Sequence, residues 1–458
     1  MYLNVLSQCT PVPLFDGMWR DPGDRSATGY RSLDYWTWLA GRLEAACVDA
    51  LFLADIHGVF DVYRNSWRPA VRHGVQVPVV DPMLVVAALA ATTRRLGLAV
   101  TYSTSYHAPY QCARLFSSLD HLTEGRIGWN IVISDTRLGV RAGLCEYLPH
   151  DDRYARADEY VELVRRMWEE SWSDGAVVRD AERDVFTDDA LVRAVRHQGS
   201  YFHMDTPHSC EPSPQRTPVL YQAGASARGM AFAARHAEVV FVTLAGPKTG
   251  AEQVERLRGL AVAAGREPDD LRILHGTPFI VAESAAAARV KADAYQELTS
   301  TEGQLAKWCQ WSRVDLDSYP QDADAFEVIG ADGGSITAFL SQLDGERSWT
   351  VADVRRLVAT PKRPHRYDRH MLFGTPAQIA DRMEEWIERT GIDGFNLFPC
   401  PPTGGIDDLC DLLIPELADR GLVRRAYDPA ERTLRERYFG AGRARLRFDP
   451  AATALRPA

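Results

Sequence analysis

The stretch LGLAVTYSTSYHAPYQCARLFSSLDHLTEGRIGWNIVIS, residues 96–134, contains the pattern that decides the fold. Its apolar run Leu96–Thr101 predicts a buried strand, and Tyr110–Leu122 has the periodicity of a helix. Gly125 ends that helix, and the β-branched run Gly128–Ser134 predicts a second strand. Strand, helix and strand in this order are typical of a parallel sheet that carries helices on its faces.

The second of these strands begins with glycine, tryptophan and asparagine, which is unusual for the inside of a sheet. One interpretation is a turn that is packed by the aromatic ring of Trp129. The other is that the strand delivers the polar side chain of Asn130 to a molecule bound above it. The residues by themselves leave both interpretations open.

The same alternation of strands and helices continues along the chain. It predicts strands at Asn4–Leu6, Leu51–Ala54, Leu96–Thr101, Gly128–Ser134, Val219–Gln222, Val239–Val242, Leu271–Val281 and Gly394–Leu397. It predicts helices at Leu33–Cys47, Pro82–Ala91, Tyr110–Leu122, Asp152–Trp172, Ala227–Ala234, Ala251–Ala263, Ser284–Glu297 and Pro376–Thr390. Eight repeats favour an α/β fold of the (β/α)8 TIM-barrel type, with a doubly wound sheet as the alternative.

Three segments exceed a minimal barrel, namely residues 57–80, 173–217 and 298–372. We expect them to be insertions that follow strands and act as lids or as packing or oligomer contacts. The third ends in the basic run PKRPHRYDRH, which suits either an acidic substrate or a solvated face. Residues 404–458 look like a C-terminal arm, helical at DLLIPELADRG and otherwise extended. We expect a single domain over residues 1–458.

Composition excludes several classes of protein. The net charge of −10 argues against a nucleic-acid partner, whose phosphates would be repelled. The N-terminus lacks the pattern of a signal peptide, and no stretch has the roughly 20 apolar residues of a membrane helix. The eight cysteines are scattered without metal-ligand spacing, so we expect reduced thiols, no metal site and a cytoplasmic protein.

Polar residues stand at the ends of several predicted strands, where a barrel gathers them at one mouth. Asp55, Thr101, Asn130, Ser134 and Gln222 occupy such positions. No nucleophile elbow, phosphate-binding loop of the Walker type or complete dinucleotide fingerprint occurs. Hydroxyl and amide groups suit the binding of a cofactor that supplies its own chemistry.

Two local patterns are compatible with phosphate binding. Gly224 permits a tight turn, and Ser226 begins the helix ARGMAFAARH, so that free N–H groups and the helix dipole converge. The alternative for Ser226 is an ordinary N-cap. His150 and Tyr154 lie four residues apart and therefore on one helix face; a cap and a packed tyrosine are the alternative. Asp55 is a base, a ligand to a ring N–H or a cap, and nothing local decides between them.

Five separated segments resemble one family. They are FLAD, TYSTSYHAPYQCARLFSSLDHLTEGRIGWNIVIS, HDDRYARADEY, LYQAGASARGMAFAARHAEVVFV and GTPAQIADRMEEWIERTGIDGFNLFP. In this order they are similar to the bacterial luciferase-like flavin monooxygenases, in the branch of the nitrilotriacetate, dibenzothiophene-sulfone and pristinamycin-type enzymes. The resemblance implies a (β/α)8 barrel, a homo-oligomer, and reduced FMN supplied by a separate NAD(P)H:flavin reductase. It also implies that O2 reacts through a peroxyflavin to oxygenate a small organic substrate.

The resemblance also implies roles for individual residues. The flavin contacts would be Asp55, Thr101, His150, Tyr154 and Ser226. Among them, Tyr154 and Ser226 would meet the phosphate, while Asp55 and Thr101 would lie nearer the ring. Asn130 would project towards the ring while Trp129 packs outward or sideways, and Asn130 and Ser134 are the candidate catalytic residues on the peroxide side.

The sequence departs from the family in two places. PVPLFDGMWRDP has Leu14, Phe15 and Asp16 where many members have histidines, which leaves the substrate class open. Tyr102 replaces a smaller residue, and we expect it to crowd the ring or the substrate. The alternatives to a monooxygenase are a deazaflavin-dependent oxidoreductase on the same barrel, a non-catalytic flavin-binding protein and, third, a metal-dependent hydrolase.

Overall fold

The structure is a computed structural model that describes most of the chain. The described residues are 1–11, 13–134, 136–224, 226–244, 246–330, 340, 348–359, 371–400 and 404–447. The basic run PKRPHRYDRH, residues 361–370, lies outside them. In the described part, no helix combines the length and apolar character that a membrane crossing requires.

A closed barrel of eight parallel strands forms the centre of the fold. Its strands are β1 (Tyr2–Gln8), β2 (Ala50–Ala54), β3 (Gly97–Ser103), β4 (Ile127–Val132), β9 (Val219–Gln222), β10 (Val239–Val242), β11 (Arg272–Val281) and β13 (Gly394–Pro399). They pair in that order, and β13 returns to β1. The short strand β12 (Leu372–Gly374) extends the sheet beside β11. The predicted TIM barrel is confirmed. The doubly wound alternative is wrong, because a doubly wound sheet has two unpaired edges, whereas the eight strands here form a closed ring.

Helices separate the barrel strands. Among the described residues, the helices of four or more residues are α1 (Ser26–Gly29), α2 (Leu33–Ala45), α3 (Arg68–His73), α4 (Pro82–Thr92), α5 (Pro109–Leu122), α6 (Thr136–Arg141), α7 (His150–Glu170), α8 (Ala227–His236), α9 (Pro247–Ala263), α10 (Ala285–Leu298), α11 (Thr301–Ser312), α12 (Ala325–Ile329), α13 (Val351–Ala359), α14 (Pro376–Thr390), α15 (Gly404–Asp408), α16 (Ile414–Asp419) and α17 (Leu434–Phe439), with a π-helical turn at Leu409–Leu413. All eight predicted helices are present with bounds close to those expected.

Two differences from the prediction concern the end of β4 and the C-terminal arm. Strand β4 ends at Val132, so Ser134 lies two residues beyond the strand instead of at its last position. The C-terminal arm is not extended after residue 421, because Leu434–Phe439 is a helix with a capping box between Thr433 and Glu436. A reciprocal cap of this kind satisfies N–H groups at the helix start and stabilises even a short helix.

The insertions have their own secondary structure. Residues 173–217 contain two antiparallel hairpins, β5 (Val177–Asp180) with β6 (Val185–Thr187) and β7 (Val195–Gln198) with β8 (His203–Thr206). Residues 57–80 contain α3, and the described part of 298–372 contains α11, α12 and α13. Their functions as lids or contacts stay predictions.

The chain divides into two compact units, and the expectation of a single domain stays a prediction. The first unit comprises Met1–Val85, Val242–Val254 and Leu274–Arg425. It holds β1, β2 and β13 in register, with Asn4 opposite both Asn396 and Ala50. In it, Lys307 ties the segment after β1 to α11 through a buried ion pair with Asp16 at 2.5 Å and a bond to Leu14 O at 2.6 Å.

The second unit comprises Val86–Phe241, Glu255–Ile273 and Ala426–Ala458. Its strands β3, β4 and β9 are parallel, and Thr101 lies opposite Asn130, which lies opposite Tyr221. The alternation of side chains along a strand sends successive residues to opposite faces. Strand ends of this unit therefore bring the polar residues Thr101, Ser103 and Asn130 to one face, away from the helices.

Candidate active site

The beginning of α8 forms the anion-binding end of the candidate site. Ser226 caps the helix, and its Oγ accepts a hydrogen bond from Gly229 N–H at 3.0 Å. A Cβ atom on Gly229 would lie 2.8 Å from the hydroxyl oxygen of Tyr154 and 3.1 Å from Ser226 Oγ. The two hydroxyl groups thus converge on the first helical turn, where only glycine fits. The N–H groups of this turn have no intrahelical acceptor and favour an anion.

Tyr154 reaches this point from α7, which is a different element. Its side chain is buried, and its ring packs edge-on against Phe232 of α8 with centroids 5.7 Å apart. His150 lies on the same face of α7 as predicted, with its ring centroid 5.0 Å from that of Tyr154. However, the side chain of His150 is 44% exposed and its Nδ1 is 2.8 Å from Asp151 Oδ1. The structure therefore brings Tyr154 and Ser226 together and leaves His150 at the rim.

An ion-pair network fixes α8 against α7 beside this position. Arg228 pairs with Asp158, and the buried His236 places its Nε2 2.7 Å from the same carboxylate. Burial disfavours the ionised form of Asp158, but the hydrogen bonds and charges of His236 and Arg228 outweigh burial and lower the pKa of this carboxyl group. Burial lowers the pKa of His236 to about 4.

Thr101 and Asn130 form the second part of the site, on β3 and β4. The amide Nδ2 of Asn130 donates to Thr101 Oγ1 at 2.9 Å. This bond orients the amide and leaves Oδ1 of Asn130 buried without a hydrogen-bond partner among the described residues. A buried unpaired acceptor costs about 1–3 kcal/mol, and a ligand that donates to it would remove this cost. A flavin ring, which carries both N–H donors and carbonyl acceptors, fits this pair.

The glycine–tryptophan start of β4 has a packing explanation as well. Trp129 is fully buried among Phe116, Tyr160 and Trp168 of the helix layer, and its Nε1 donates to Tyr102 O at 3.0 Å. Trp129 therefore packs outward as expected, while the neighbouring Asn130 faces the opposite side. The interpretation of this motif as a turn is wrong, because Gly128, Trp129 and Asn130 lie within β4. The delivery of the Asn130 amide to a bound molecule stays a prediction.

The environment of Tyr102 corrects one prediction. The Tyr102 ring stacks on His107 with centroids 3.9 Å apart and meets Phe116 of α5 edge-on. Tyr102 thus belongs to the helix-facing side of β3, because it alternates with Thr101 and Ser103. It does not crowd the face that carries Thr101 and Asn130.

Ser103 and Ser134 continue the same face beyond Thr101 and Asn130. Their hydroxyl oxygens lie 2.8 Å apart, and Ser103 Oγ also accepts the Ser105 N–H at 3.1 Å. Arg153 of α7 donates to the carbonyl of Ser134 at 3.0 Å. Sequence reasoning missed Ser103 as a partner and missed Arg153. No local signal identifies them, since each partner comes from another element.

Asp55 belongs to the first unit, where it follows β2. Its side chain is 12% exposed, and Oδ2 lies 3.6 Å from His57 Nδ1. Burial raises the pKa of Asp55; the charge of His57 opposes this and that of Asp81 adds to it. The side chain is thus a carboxyl group whose ionisation is disfavoured. Its expected contact with the flavin stays a prediction.

Known proteins show which family this arrangement belongs to. The sequence profile of luciferase-like monooxygenases matches residues 18–394. Long-chain alkane monooxygenase of Geobacillus thermodenitrificans is 42% identical over 462 residues, covering 100% of this chain and 98% of that protein. Dimethyl-sulfide monooxygenase of Hyphomicrobium sulfonivorans is 38% identical, covering 96% and 91%. A crystal structure of riboflavin lyase with modified FMN and riboflavin has a TM-score of 0.88 at 33% identity, covering 99% of each chain.

The chain therefore belongs to the luciferase-like monooxygenase family, and it is an oxidoreductase of the flavin-dependent monooxygenase class. The expected branch is confirmed as well. Dibenzothiophene-sulfone monooxygenase, a component of nitrilotriacetate monooxygenase and one polypeptide of pristinamycin IIA synthase are relatives at 33%, 31% and 32% identity. An F420-dependent secondary alcohol dehydrogenase, at 15% identity and a TM-score of 0.57, shares the fold alone. The deazaflavin alternative thus has no support beyond the barrel.

Proposed function

We propose that this chain is the oxygenase component of a two-component system. It binds reduced FMN that a separate NAD(P)H:flavin reductase delivers, and it oxygenates a small organic molecule. In the overall reaction one oxygen atom of O2 enters the substrate and the other leaves as water, while reduced FMN becomes FMN. When bound, reduced FMN supplies the two electrons that activate O2. The observation that carries the proposal is the convergence of Tyr154 and Ser226 on the glycine turn of α8.

The protein's first task is to hold the phosphate end of the cofactor. Ser226 Oγ accepts from Gly229 N–H, so its own hydrogen remains available to a phosphate oxygen. Tyr154 offers a second hydroxyl donor at the same turn. The N–H groups of Ala227 and Arg228 belong to the first turn and add the positive end of the helix dipole. These groups support phosphate binding without a dedicated lysine.

The second task is to orient the ring and keep water away from it. Thr101 and Asn130 are only 5% exposed, and they present one hydroxyl hydrogen and one amide oxygen to the same side. Such a pair can accept from a ring N–H and donate to a ring carbonyl. A water-excluding site also favours oxygen transfer over loss of hydrogen peroxide.

The hydrogen-bonding groups near the site are compatible with an uncharged substrate. Arg153 donates to Ser134 O, Arg156 donates to Thr104 O, and Arg228 pairs with Asp158. Each of these guanidinium groups already donates to a protein oxygen, and the other groups that we assign to this face are hydroxyls and amides. We therefore propose an apolar or weakly polar substrate. The names of the alkane and dimethyl-sulfide relatives are compatible with that class.

The proposed reductase partner and cytoplasmic location rest on the names of two relatives and on the cysteines. The nitrilotriacetate and pristinamycin relatives are by name single parts of multi-protein systems, which indicates that those proteins act with a second polypeptide. This supports a reductase partner for the present chain. Its eight cysteines form no disulfide, which supports a reducing cytoplasm. We also expect a homo-oligomer.

Anaerobic titration with reduced FMN and reduced riboflavin tests the phosphate site. Wild-type protein should bind reduced FMN at least about tenfold more tightly than reduced riboflavin, which lacks the phosphate. Ser226→Ala and Tyr154→Phe should each weaken FMN binding about tenfold and leave riboflavin binding unchanged. The ratio of the dissociation constants for reduced riboflavin and reduced FMN, which we call the FMN preference, is compared between the wild-type protein and each variant.

Ser284→Ala provides the matched control. Ser284 caps α10 in the same way, since its Oγ accepts from Ala287 N–H at 3.1 Å. Its loss should lower stability as a lost cap does, by about 1 kcal/mol, without changing the FMN preference. Equal binding of FMN and riboflavin by the wild-type protein would contradict the proposed phosphate site.

A further inference from the structure

The hydroxyl groups of Ser103 and Ser134 form a pair in which one of the two hydroxyl hydrogens is not used for the bond between them. Two hydroxyl groups bring two hydrogens, and the 2.8 Å contact between their oxygens holds one of them. Ser103 Oγ accepts a further bond from Ser105 N–H at 3.1 Å. The second hydroxyl hydrogen must therefore point away from the pair, from Ser103 in one arrangement and from Ser134 in the other. Rotation of both hydroxyls exchanges the two arrangements without moving a heavy atom.

The pair lies on the face that carries Thr101 and Asn130. Ser103 is two residues after Thr101 on β3 and is 2% exposed. Asn130 commits a hydrogen of its amide to Thr101 and leaves an oxygen, so it serves there as an acceptor. The serine pair acts in the opposite sense, because its remaining hydroxyl hydrogen can be donated to a ligand. An oxygen atom with free lone pairs is the ligand that suits such a donor.

Arg153 holds one member of this pair in place. Its guanidinium donates to Ser134 O at 3.0 Å, and its side chain is largely buried. Ser134 lies beyond the end of β4, where ladder hydrogen bonds no longer fix the backbone. The bond from α7 replaces them. Tyr154 is the next residue of α7, so one helix turn orients both the serine pair and the phosphate end.

We propose that Ser103 and Ser134 act as a single hydrogen-bond donor to an oxygen atom derived from O2, and that Arg153 is a positioning residue for this donor. The inference rests on the proposed function, because reduced flavin must bind for O2 to be activated. The pair stabilises reduced oxygen while the substrate reacts. A neutral donor suits this purpose, since it transfers no charge and adapts its direction by rotation.

Stopped-flow mixing of the protein and reduced FMN with O2 tests the donor. Wild-type protein should delay the return of oxidised FMN and the release of hydrogen peroxide relative to free reduced FMN. Ser103→Ala and Ser134→Ala should each shorten that delay about tenfold or more, as expected for a lost hydrogen bond to a charged oxygen. Ser134→Thr keeps the hydroxyl and should restore most of the delay. The dissociation constant for reduced FMN should stay within about twofold in all three variants.

Non-additivity tests the positioning role. Arg153→Met should shorten the delay about as much as Ser134→Ala, and the double variant should be no faster than either single variant, because both act through one group. Arg153→Lys should lie between wild type and Arg153→Met. Arg166→Met is the matched control, since Arg166 also lies on α7 and donates to a carbonyl, that of Arg196 at 3.1 Å. It should leave the delay unchanged.

The outcomes separate this inference from the proposed function. An unchanged delay in both serine variants overturns the donor, and so does a wild-type protein that shows no delay. Weakened FMN binding in these variants, equal to that of Ser226→Ala, also overturns it, because the pair would then belong to cofactor binding. Additive effects in the double variant overturn the role of Arg153. The preference for FMN over riboflavin tests the flavin site independently of all these results.

Discussion

Two regions of the second unit use the same kinds of polar residue in opposite ways. We call the first the closed region, formed by Asp120, Gln215, Glu238 and Arg435. Arg435 is fully buried and makes six hydrogen bonds, to both oxygens of Glu238 and to four carbonyls. Gln215 donates to Asp120 Oδ1 at 2.7 Å and to Ile127 O at 2.9 Å. In the closed region, these polar side chains therefore find their hydrogen-bond partners within the protein.

The second, which we call the open region, comprises Thr101, Ser103, Asn130, Ser134 and Ser226. Asn130 retains a buried acceptor without a partner among the described residues, and the serine pair retains an unused hydrogen. Gln215 and Glu238 of the closed region come just before β9 and β10, whereas the open region lies near or beyond the C-terminal ends of β3, β4 and β9, where barrels place their active sites. The difference teaches that the same kinds of polar residue can be paired within the protein at one place and present unpaired atoms at another. The three predictions that follow test this contrast.

The largest effect is expected in the closed region. Arg435→Met leaves the buried carboxylate of Glu238, 4% exposed, without its cation. Breaking a buried ion pair in this way costs about 3–5 kcal/mol of unfolding free energy, which urea denaturation measures. Arg443→Met removes an exposed arginine from the same arm and should change stability by less than about 0.5 kcal/mol. A loss below about 1 kcal/mol for Arg435→Met would contradict the contrast.

His208 has a buried unpaired atom although it belongs to neither the closed nor the open region. It lies in the segment leading into β9, is 3% exposed, and its Nδ1 is buried without a partner among the described residues. Burial lowers the pKa of His208 to about 4.

The unfolded chain protonates this histidine near pH 6.5, whereas the folded protein does not. Stability should therefore fall as the pH drops from about 6.5 to 4, by up to about 1.4 kcal/mol per pH unit from this group. Urea unfolding at pH 7 and pH 5 should show a smaller loss for His208→Gln than for wild type. The exposed His203→Gln is the control. Equal losses in His208→Gln and wild type would show that His208 protonates normally in the fold.

The smallest change in stability is expected at Asn130. Asn130→Ala loses a hydrogen bond worth about 1 kcal/mol but also removes a buried unpaired oxygen, so the unfolding free energy should change by less than about 1 kcal/mol. Affinity for reduced FMN should nevertheless fall about tenfold. By contrast, Thr101→Val removes the acceptor of the Asn130 amide and leaves that amide buried without this hydrogen bond. The free energy of unfolding should therefore fall by about 1–3 kcal/mol. A strongly destabilised Asn130→Ala protein with unchanged FMN affinity would assign Asn130 a structural role.

The parts of the site that depend on local periodicity could be predicted from the sequence. Ser226 is identifiable from its place before a helix, and its capping bond is present. The spacing of four places His150 and Tyr154 on one face, which the ring contact confirms. The barrel itself is recognisable because parallel strands are apolar on both faces, as in Val239–Val242.

Other features were predicted wrongly or have no signal in the sequence. Ser134 was placed at the end of β4, and Tyr102 was expected to crowd the ring. The first error concerns where a strand ends and the second concerns which way a side chain faces, and both lie near strand ends, where local pattern is weakest. The contact of Tyr154 with Gly229, 75 positions away, has no local signal at all.

The sequence by itself determined the order of strands and helices, the family and the residue types at the strand ends, because these depend on neighbours a few positions away. The tertiary structure decided which polar atoms are satisfied and which remain open to a ligand. Arg435 and Asn130 are both buried polar residues, yet among the described residues one has partners on every side and the other has an unused oxygen. That distinction depends on partners from distant elements and on the exclusion of water, which only packing creates.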